Sequence, residues 1–425
     1  MKSIVLNQEK IVARRYLLSE SLARRAVLKQ LTRLRDGCLL VEEGSEVQCF
    51  GQDRHEAGLV ASVRINNPSA WLAIFHSGSL GAGEAYMQGS WDTPDLLKVI
   101  RIFVRNMSLL EQMDASASLA GRMGAKLFHW LRRNTLGGSR RNIAAHYDLS
   151  NDFFGLILDK SMAYSAGIFR HDSDTLETAS REKFKHICER LQLGPQDHLL
   201  EIGTGWGGLA IHAARHYGCR VTTTTISKEQ HCYATEWVRR EGLQDRITLL
   251  LKDYRELEGS FDKLVSVEMI EAVGPQYYSE YFSRCSSLLK PEGLMLIQAI
   301  TISDQRYAQS LGNTDFIKRY IFPGGQLPSN AIICSHLAED TDMQLIGLED
   351  ITRDYALTLQ AWTERFNSRL ADVRKQGFNE TFIRMWRYYM AFCEGGFRER
   401  VIHTAQFLMA KPGFRTVNRV ASITE

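Results

Sequence analysis

The stretch LLEIGTGWGGLAIHAARHYG, residues 199–218, decides the fold. Apolar Leu199, Leu200 and Ile202 lead into Gly203, Gly205 and Gly208, and an amphipathic segment follows. Strand, glycine turn and helix in that order open a βαβ unit, in which glycines let the backbone turn tightly and approach a ligand closely. Outward from it, the strand-like runs HLLEIG, RVTTTTI, ITLLLKD, FDKLVSVEMI and GLMLIQAIT alternate with the helical GLAIHAARHY and KEQHCYATEWVRREG. That alternation predicts an α/β fold with a doubly wound, mostly parallel sheet and helices on both faces.

The glycine pattern by itself fits a dinucleotide or S-adenosylmethionine. Two neighbours separate them. Enzymes that bind NAD favour an acid at the end of the second strand, for the ribose hydroxyls. This chain reads TTTTISKEQ there, offering Thr225 and Gln230 but no carboxylate. Before the loop stands Glu201, which would sit poorly beside a pyrophosphate and suits a ligand whose amino group and sulfonium are positive. Asp253, Tyr254 and Arg255 in LLLKDYREL end the next strand, in the crevice where such sheets bind ligands and an adenine edge can be read. An Asp at a strand end also caps helices.

At 425 residues, with 44% hydrophobic and 24% charged, the chain holds two to three structural units of soluble globular character. No run is long and apolar enough to span a bilayer, and MKSIVLNQEKIVARRYLLSE lacks the apolar core of a signal peptide, so a cytoplasmic protein is expected. The 8 cysteines include no C-x-x-C, which predicts buried, reduced thiols and neither a disulfide framework nor a metal site. A net charge of +3 gives no case for nucleic acid.

Charge is nevertheless clustered. No acidic residue falls between Asp114 and Asp148, while Arg122, Lys126, Arg132, Arg133, Arg140 and Arg141 surround the apolar residues of AKLFHWLRRNTLGGSRRNI. Such a segment is a solvated connector or a surface for anionic lipid headgroups, where each basic side chain contributes ~1 kcal/mol. The organisation expected is a small α+β N-terminal unit over 1–115, a basic linker over 116–145 and the large α/β unit over 146–425.

An ordered series of motifs covers nearly the whole chain: GEAYMQGSWDTPDL, HYDLSNDFF, MAYSAGIF, LEIGTGWGGLA, TISKEQ, SVEMIEAVGPQYYSEYF, LKPEGLMLIQAI, FIKRYIFPGGQLPS, DYALTLQAWTERF and RMWRYYMAFCEGGFR. It resembles the cyclopropane-fatty-acyl-phospholipid synthases, which transfer a methylene from S-adenosylmethionine to the cis double bond of a phospholipid acyl chain. The resemblance implies a class I methyltransferase domain with inserted helices walling an acyl channel, an N-terminal lipid-binding domain, contact with membrane phospholipid from the cytoplasmic face, and a homodimer. It places Tyr164 and Ser165 at the cofactor, beside Glu201, Gly203, Gly205, Thr225, Gln230, Asp253, Tyr254 and Arg255.

Methylation of an alkene leaves a carbocation that must be sheltered from water, stabilised and deprotonated. Tyr164, Phe169, Tyr320, Phe322, Tyr355 and Trp362 supply aromatic faces for a cation, or simply pack the core. By resemblance the base is a bicarbonate ion held by a Cys, a Glu, a His, a Tyr and a backbone group. The Glu falls on Glu271, with Glu268 competing for its role, the Tyr on Tyr355 and the backbone group on Ile300. The Cys is replaced by Ala166 and the His by Gln298, whose amide donates a hydrogen bond but cannot change protonation state. Two alternatives follow: the altered set still holds bicarbonate, or Glu271 is itself the base. An unclosed cation would give a methyl-branched or methylene product.

Overall fold

The computed structural model describes residues 17–52, 58–116 and 149–415, without the side chains of 115 and 116. The basic linker, His146 and the N-terminal stretch lie outside the described residues. The chain divides into two compact units, one of Met1–Gly124 with Asn379–Gly395, the other of Ala125–Phe378 with Gly396–Glu425.

In the first unit a four-stranded sheet runs β2-β1-β3-β4, with β1 Gly37–Glu43, β2 Glu46–Gln52, β3 Val60–Ile65 and β4 Trp91–Asp92. The stretch CLLVEEGSEVQCFG makes the β1-β2 hairpin, turning at Gly44 with φ +60°. One face of β1 points inward through Leu39 and Val41, as a period of two requires. Helices Leu18–Leu31, Ser69–Met87 and Leu96–Arg105 accompany the sheet. The helix Glu380–Arg398 returns to this unit, where the Arg384 guanidinium lies 4.0 Å over the Tyr86 ring.

The second unit is built on a seven-stranded sheet in the order β10-β11-β9-β8-β5-β6-β7. The strands are β5 His198–Ile202, β6 Arg220–Thr224, β7 Ile247–Leu250, β8 Phe261–Val267, β9 Leu289–Ile302, β10 Gln344–Asp350 and β11 Ile402–Ala410. Pairing is parallel from β7 through β9, and β11 runs antiparallel to both its neighbours. Side chains alternate between two cores. Leu199, Val221, Val265 and Leu296 pack toward helices Leu176–Arg190 and Gly208–Tyr217. Leu200, Leu264, Met295 and Ile297 pack toward helices Tyr278–Ser287 and Asn330–Asp340. Strands buried on both faces read as mostly apolar runs, as β8 and β9 do, while β6 is marked by β-branched threonines.

Chain order reverses at β5, which has β6 on one side and β8 on the other. A crevice at the carboxyl ends of strands opens at such a point. Gly203 has φ +103°, a backbone conformation that L side chains rarely adopt, and a Cβ on Gly208 would stand 2.7 Å from the Ser161 carbonyl oxygen. No disulfide joins any of the 8 cysteines, but Cys49 and Cys232 are exposed; the expectation of uniformly buried thiols is corrected, because both lie on solvent faces of their elements.

Candidate active site

The carboxyl ends of β5, β6 and β7 carry the residues expected at the cofactor. Glu201 faces Thr223 across the β5-β6 ladder, and the Thr223 hydroxyl donates to Glu201 Oε2 at 2.6 Å. Burial pushes the Glu201 carboxyl up to about 8. The Gly203 and Thr204 amides both donate to the Thr224 carbonyl at 3.0 Å, fixing the start of the glycine turn. A Cβ on Gly205, which has φ +52°, would meet nothing within 4 Å, so this part of the loop borders open space.

Thr225 and Gln230 meet each other, the Thr225 hydroxyl donating to Gln230 Oε1 at 2.9 Å. Ser227 caps the following helix by accepting from the Gln230 amide at 3.2 Å. Asp253 caps its 3-10 turn and holds the Arg255 guanidinium in a fork at 2.8 Å through each carboxylate oxygen. Arg255 in turn lies 5.5 Å from the Tyr254 ring centroid and 5.7 Å from that of Tyr277.

The segment YSAGIF is pinned residue by residue. Ser165 Oγ accepts from Lys183 Nζ at 2.6 Å, and the Ala166 amide donates to Glu268 Oε1 at 2.9 Å. The Gly167 amide donates to Thr358 Oγ1 at 3.0 Å and the Phe169 amide to Asp354 Oδ1 at 2.8 Å. Both acceptors sit on the helix Thr352–Ser368, whose inward face also carries Tyr355, Leu359, Trp362 and Phe366 at helical spacing. Tyr164 stacks on Trp362 with centroids 5.1 Å apart, Phe322 lies 6.5 Å from Tyr164, and Tyr355 meets Trp362 edge to face at 6.2 Å. Of the expected aromatic faces, Tyr164, Phe322, Tyr355 and Trp362 thus form one group. Tyr320 instead packs on Phe316 at 5.1 Å.

At the end of β8 the chain turns through Glu268, a non-glycine residue with φ +50°. Its carboxylate gathers three donors: the Ala166 amide and Gln298 Nε2 on Oε1, at 2.9 and 2.7 Å, and Tyr355 Oη on Oε2 at 2.8 Å. Glu271 is held differently. The Ile300 amide donates to its Oε1 at 2.5 Å, while Oε2, shut off from solvent, has no hydrogen-bond partner among the described residues. Burial, with the Glu268 charge added, pushes Glu271 up to about 8. Burial raises Glu268 too, against the pull of its donors and of Lys183. The Gln326 amide of the FPGGQ turn donates to the Glu271 carbonyl at 2.9 Å, so that turn borders the site.

Ala166, Gln298 and Tyr355 therefore converge on Glu268, with Ile300 on Glu271. Sequence reading weighed Glu268 only as a competitor and missed Lys183, Asp159 and Gln406. Lys183 left a signal: Leu176, Ala179, Ser180, Phe184 and Ile187 make the buried face of its helix, and a lysine stands among them. Burial brings Lys183 down to about 8, with the charges of Glu268, Asp159 and Glu201 opposing.

A family model described as mycolic acid cyclopropane synthetase matches residues 136–407. The chain is 39% identical over 360 residues to the cyclopropane-fatty-acyl-phospholipid synthase of Escherichia coli (strain K12), covering 83% of this chain and 88% of that one. It is 35% identical over 371 residues to the tuberculostearic acid methyltransferase UfaA1 of Mycobacterium tuberculosis, covering 83% and 84%. Among solved structures, the mycolic acid cyclopropane synthase CmaA1 complexed with SAH and CTAB superposes with a TM-score of 0.60 at 29% identity, over 64% of this chain and 98% of that one.

Proposed function

The chain belongs to the mycolic acid cyclopropane synthetase family and is an S-adenosylmethionine-dependent methyltransferase, and from that premise we propose that it adds a methylene across the cis double bond of an unsaturated phospholipid acyl chain. The observation that carries this reading is the closeness in the fold of a glycine crevice at β5 and a carboxylate cluster at the end of β8, the strand beside it.

The residues fit the cofactor. Gly205 borders open space, and the buried Glu201 carboxyl lies just before the turn, where the positive charge of an amino group would draw it into its ionised form. S-adenosylmethionine, when bound, supplies an electrophilic methyl group on a positive sulfur. Glu201, Gly203, Gly205, Thr225, Gln230 and the Asp253, Tyr254, Arg255 turn would hold it, together with Tyr164 and Ser165 of the YSAGIF segment.

Positioning does most of the first step, since the alkene is itself the nucleophile. The stacked rings of Tyr164 and Trp362, with Tyr355 edge-on, present negative faces to the acyl cation and keep water from it. Ala166, Gln298, Tyr355, Ile300 and Glu271 surround the place where the proton departs. A cation that loses its proton without closing leaves a methylene product, which a separate hydride donor and a proton would have to reduce to give a methyl branch; the replacements Ala166 and Gln298 motivate this second product class.

The N-terminal unit supports a lipid reading through an apolar cavity lined by Trp71, Trp91, Phe103, Tyr388 and Phe392 among others. In this reading residues 1–115 bind lipid, 116–145 contact anionic headgroups and 146–425 carry out catalysis as part of a homodimer at the cytoplasmic face of the membrane. Among the described residues no helix is long and apolar enough to cross a membrane, as peripheral contact requires. Incubation of the purified protein with S-adenosylmethionine and vesicles of a cis-unsaturated phospholipid, followed by mass analysis of the acyl chains, tests the reading.

A further inference from the structure

Glu268 is placed as a reacting group is placed, and no structural task accounts for it. Its backbone is one of four non-glycine positions with positive φ among the described residues, and such strain persists where the surroundings over-determine it. Three separate elements aim donors at its carboxylate: the loop at Ala166, β9 through Gln298 and the helix Thr352–Ser368 through Tyr355. None of the three is a full positive charge. The buried Lys183 acts on this carboxylate through charge, its hydrogen bond going to Ser165 Oγ, and burial keeps Glu268 basic against the pull of that cation and of the three donors.

A carboxylate has about four lone-pair sites, and three are filled here. The remaining one is free to take a proton. Gln298 turns its nitrogen toward Glu268, and Gln406 Nε2 donates to its Oε1 at 3.0 Å, in keeping with that orientation. Glu271 has one donor and an unpartnered Oε2, and burial together with the Glu268 charge favours its neutral form.

We propose that Glu268 is the general base of the reaction, a tethered carboxylate standing where the family resemblance places a free bicarbonate ion. The inference rests on the methylene-transfer reading above. The π pair of the alkene forms a bond to the transferred methyl carbon as the carbon–sulfur bond breaks, its electron pair remaining on sulfur. A Glu268 oxygen then takes a proton from the new methyl group, and the freed C–H pair closes the ring on the cationic carbon. Glu268 leaves the step as a neutral acid and returns its proton to water when product departs. The three donors that hold Glu268 are thereby occupied and are not available to hold a separate anion.

Glu268→Gly and Glu268→Gln test this in the full-length protein. Glycine is at ease with a positive φ, so the first variant empties the pocket with little strain, and the isosteric second keeps it filled. In buffer stripped of carbon dioxide the unaltered enzyme keeps its rate, while both variants lose about 10²-fold or more. Bicarbonate or formate restores Glu268→Gly and does nothing for Glu268→Gln. Binding of isotope-labelled bicarbonate, followed by NMR line broadening, is seen with Glu268→Gly and not with the unaltered protein. An unaltered enzyme that needs and binds bicarbonate, or a Glu268→Gly variant as fast without added anion, overturns the proposal. The expected binding pattern without any lipid product from the unaltered protein overturns the methylene-transfer reading instead and leaves the tethered anion standing.

Discussion

Gln406 and Gln298 face each other across the antiparallel ladder of β11 and β9, and the Gln406 amide nitrogen donates to Gln298 Oε1 at 3.0 Å. The pairing decides which end of Gln298 meets the site, because its Nε2 is thereby left to reach Glu268 at 2.7 Å. Replacing Gln406 by Leu leaves Gln298 Oε1 buried without its donor, at a cost of about 1–3 kcal/mol. Denaturant unfolding should show that loss, and turnover should fall about tenfold as Gln298 loses its orientation.

Tyr355→Phe removes the hydrogen bond to Glu268. The ring keeps its stack on Phe397, 4.5 Å away, and its edge on Trp362, while Glu268 Oε2 loses the donor at 2.8 Å. Hydrogen bonds to charged groups contribute about 1.5–3 kcal/mol, so turnover should fall roughly 10- to 100-fold. Calorimetry should find S-adenosylmethionine affinity unchanged, separating a role at the reacting carbons from one at the cofactor.

Glu271 makes stability depend on pH in a definite sense. Its folded-state pKa, raised to about 8, lies above that of an unfolded carboxyl, so the folded form holds the extra proton between the two values. Stability from this group is fully present below the unfolded pKa and is lost as pH rises through about 8. Glu271→Gln, which stays neutral, should therefore gain stability relative to the unaltered protein at pH near 9 and show no such gain near pH 5, by urea unfolding at each pH.

Lys183 is the buried cation facing Glu201, Glu268 and Asp159. Lys183→Met leaves those carboxylates without it, and breaking a buried charge pair typically costs about 3–5 kcal/mol. The acidic limb of the kcat/KM profile should move to higher pH, because the cation that favours the Glu268 anion is gone. A variant whose profile stays in place would confine Lys183 to a packing role.

How much of this could be read from sequence follows from which interactions are local. The runs HLLEIG and GLMLIQAIT became β5 and β9, because strands covered on both faces are mostly apolar, and RVTTTTI became β6 through its β-branched valine and threonines. GLAIHAARHY became the helix Gly208–Tyr217, bracketed by Gly207 and Gly218 in left-handed conformations. Glu268 is another matter: its partners lie 102, 30 and 87 residues away along the chain, and no spacing rule reaches across such separations. Motif comparison pointed to Ala166, Gln298 and Tyr355 as a set but not to the side chain they hold. The return of helix Glu380–Arg398 to the first unit likewise left no mark, since an amphipathic helix does not say which sheet it will cover.

The most direct test of the account uses S-adenosylmethionine carrying a fully deuterated methyl group and vesicles of a phospholipid with one cis double bond. Mass analysis and NMR of the recovered acyl chains should show a chain one methylene heavier, no remaining double bond, cyclopropane ring signals, and two of the three deuterons retained. Acyl chains that come back unchanged, or that carry a methyl or methylene branch in place of the ring, would contradict it.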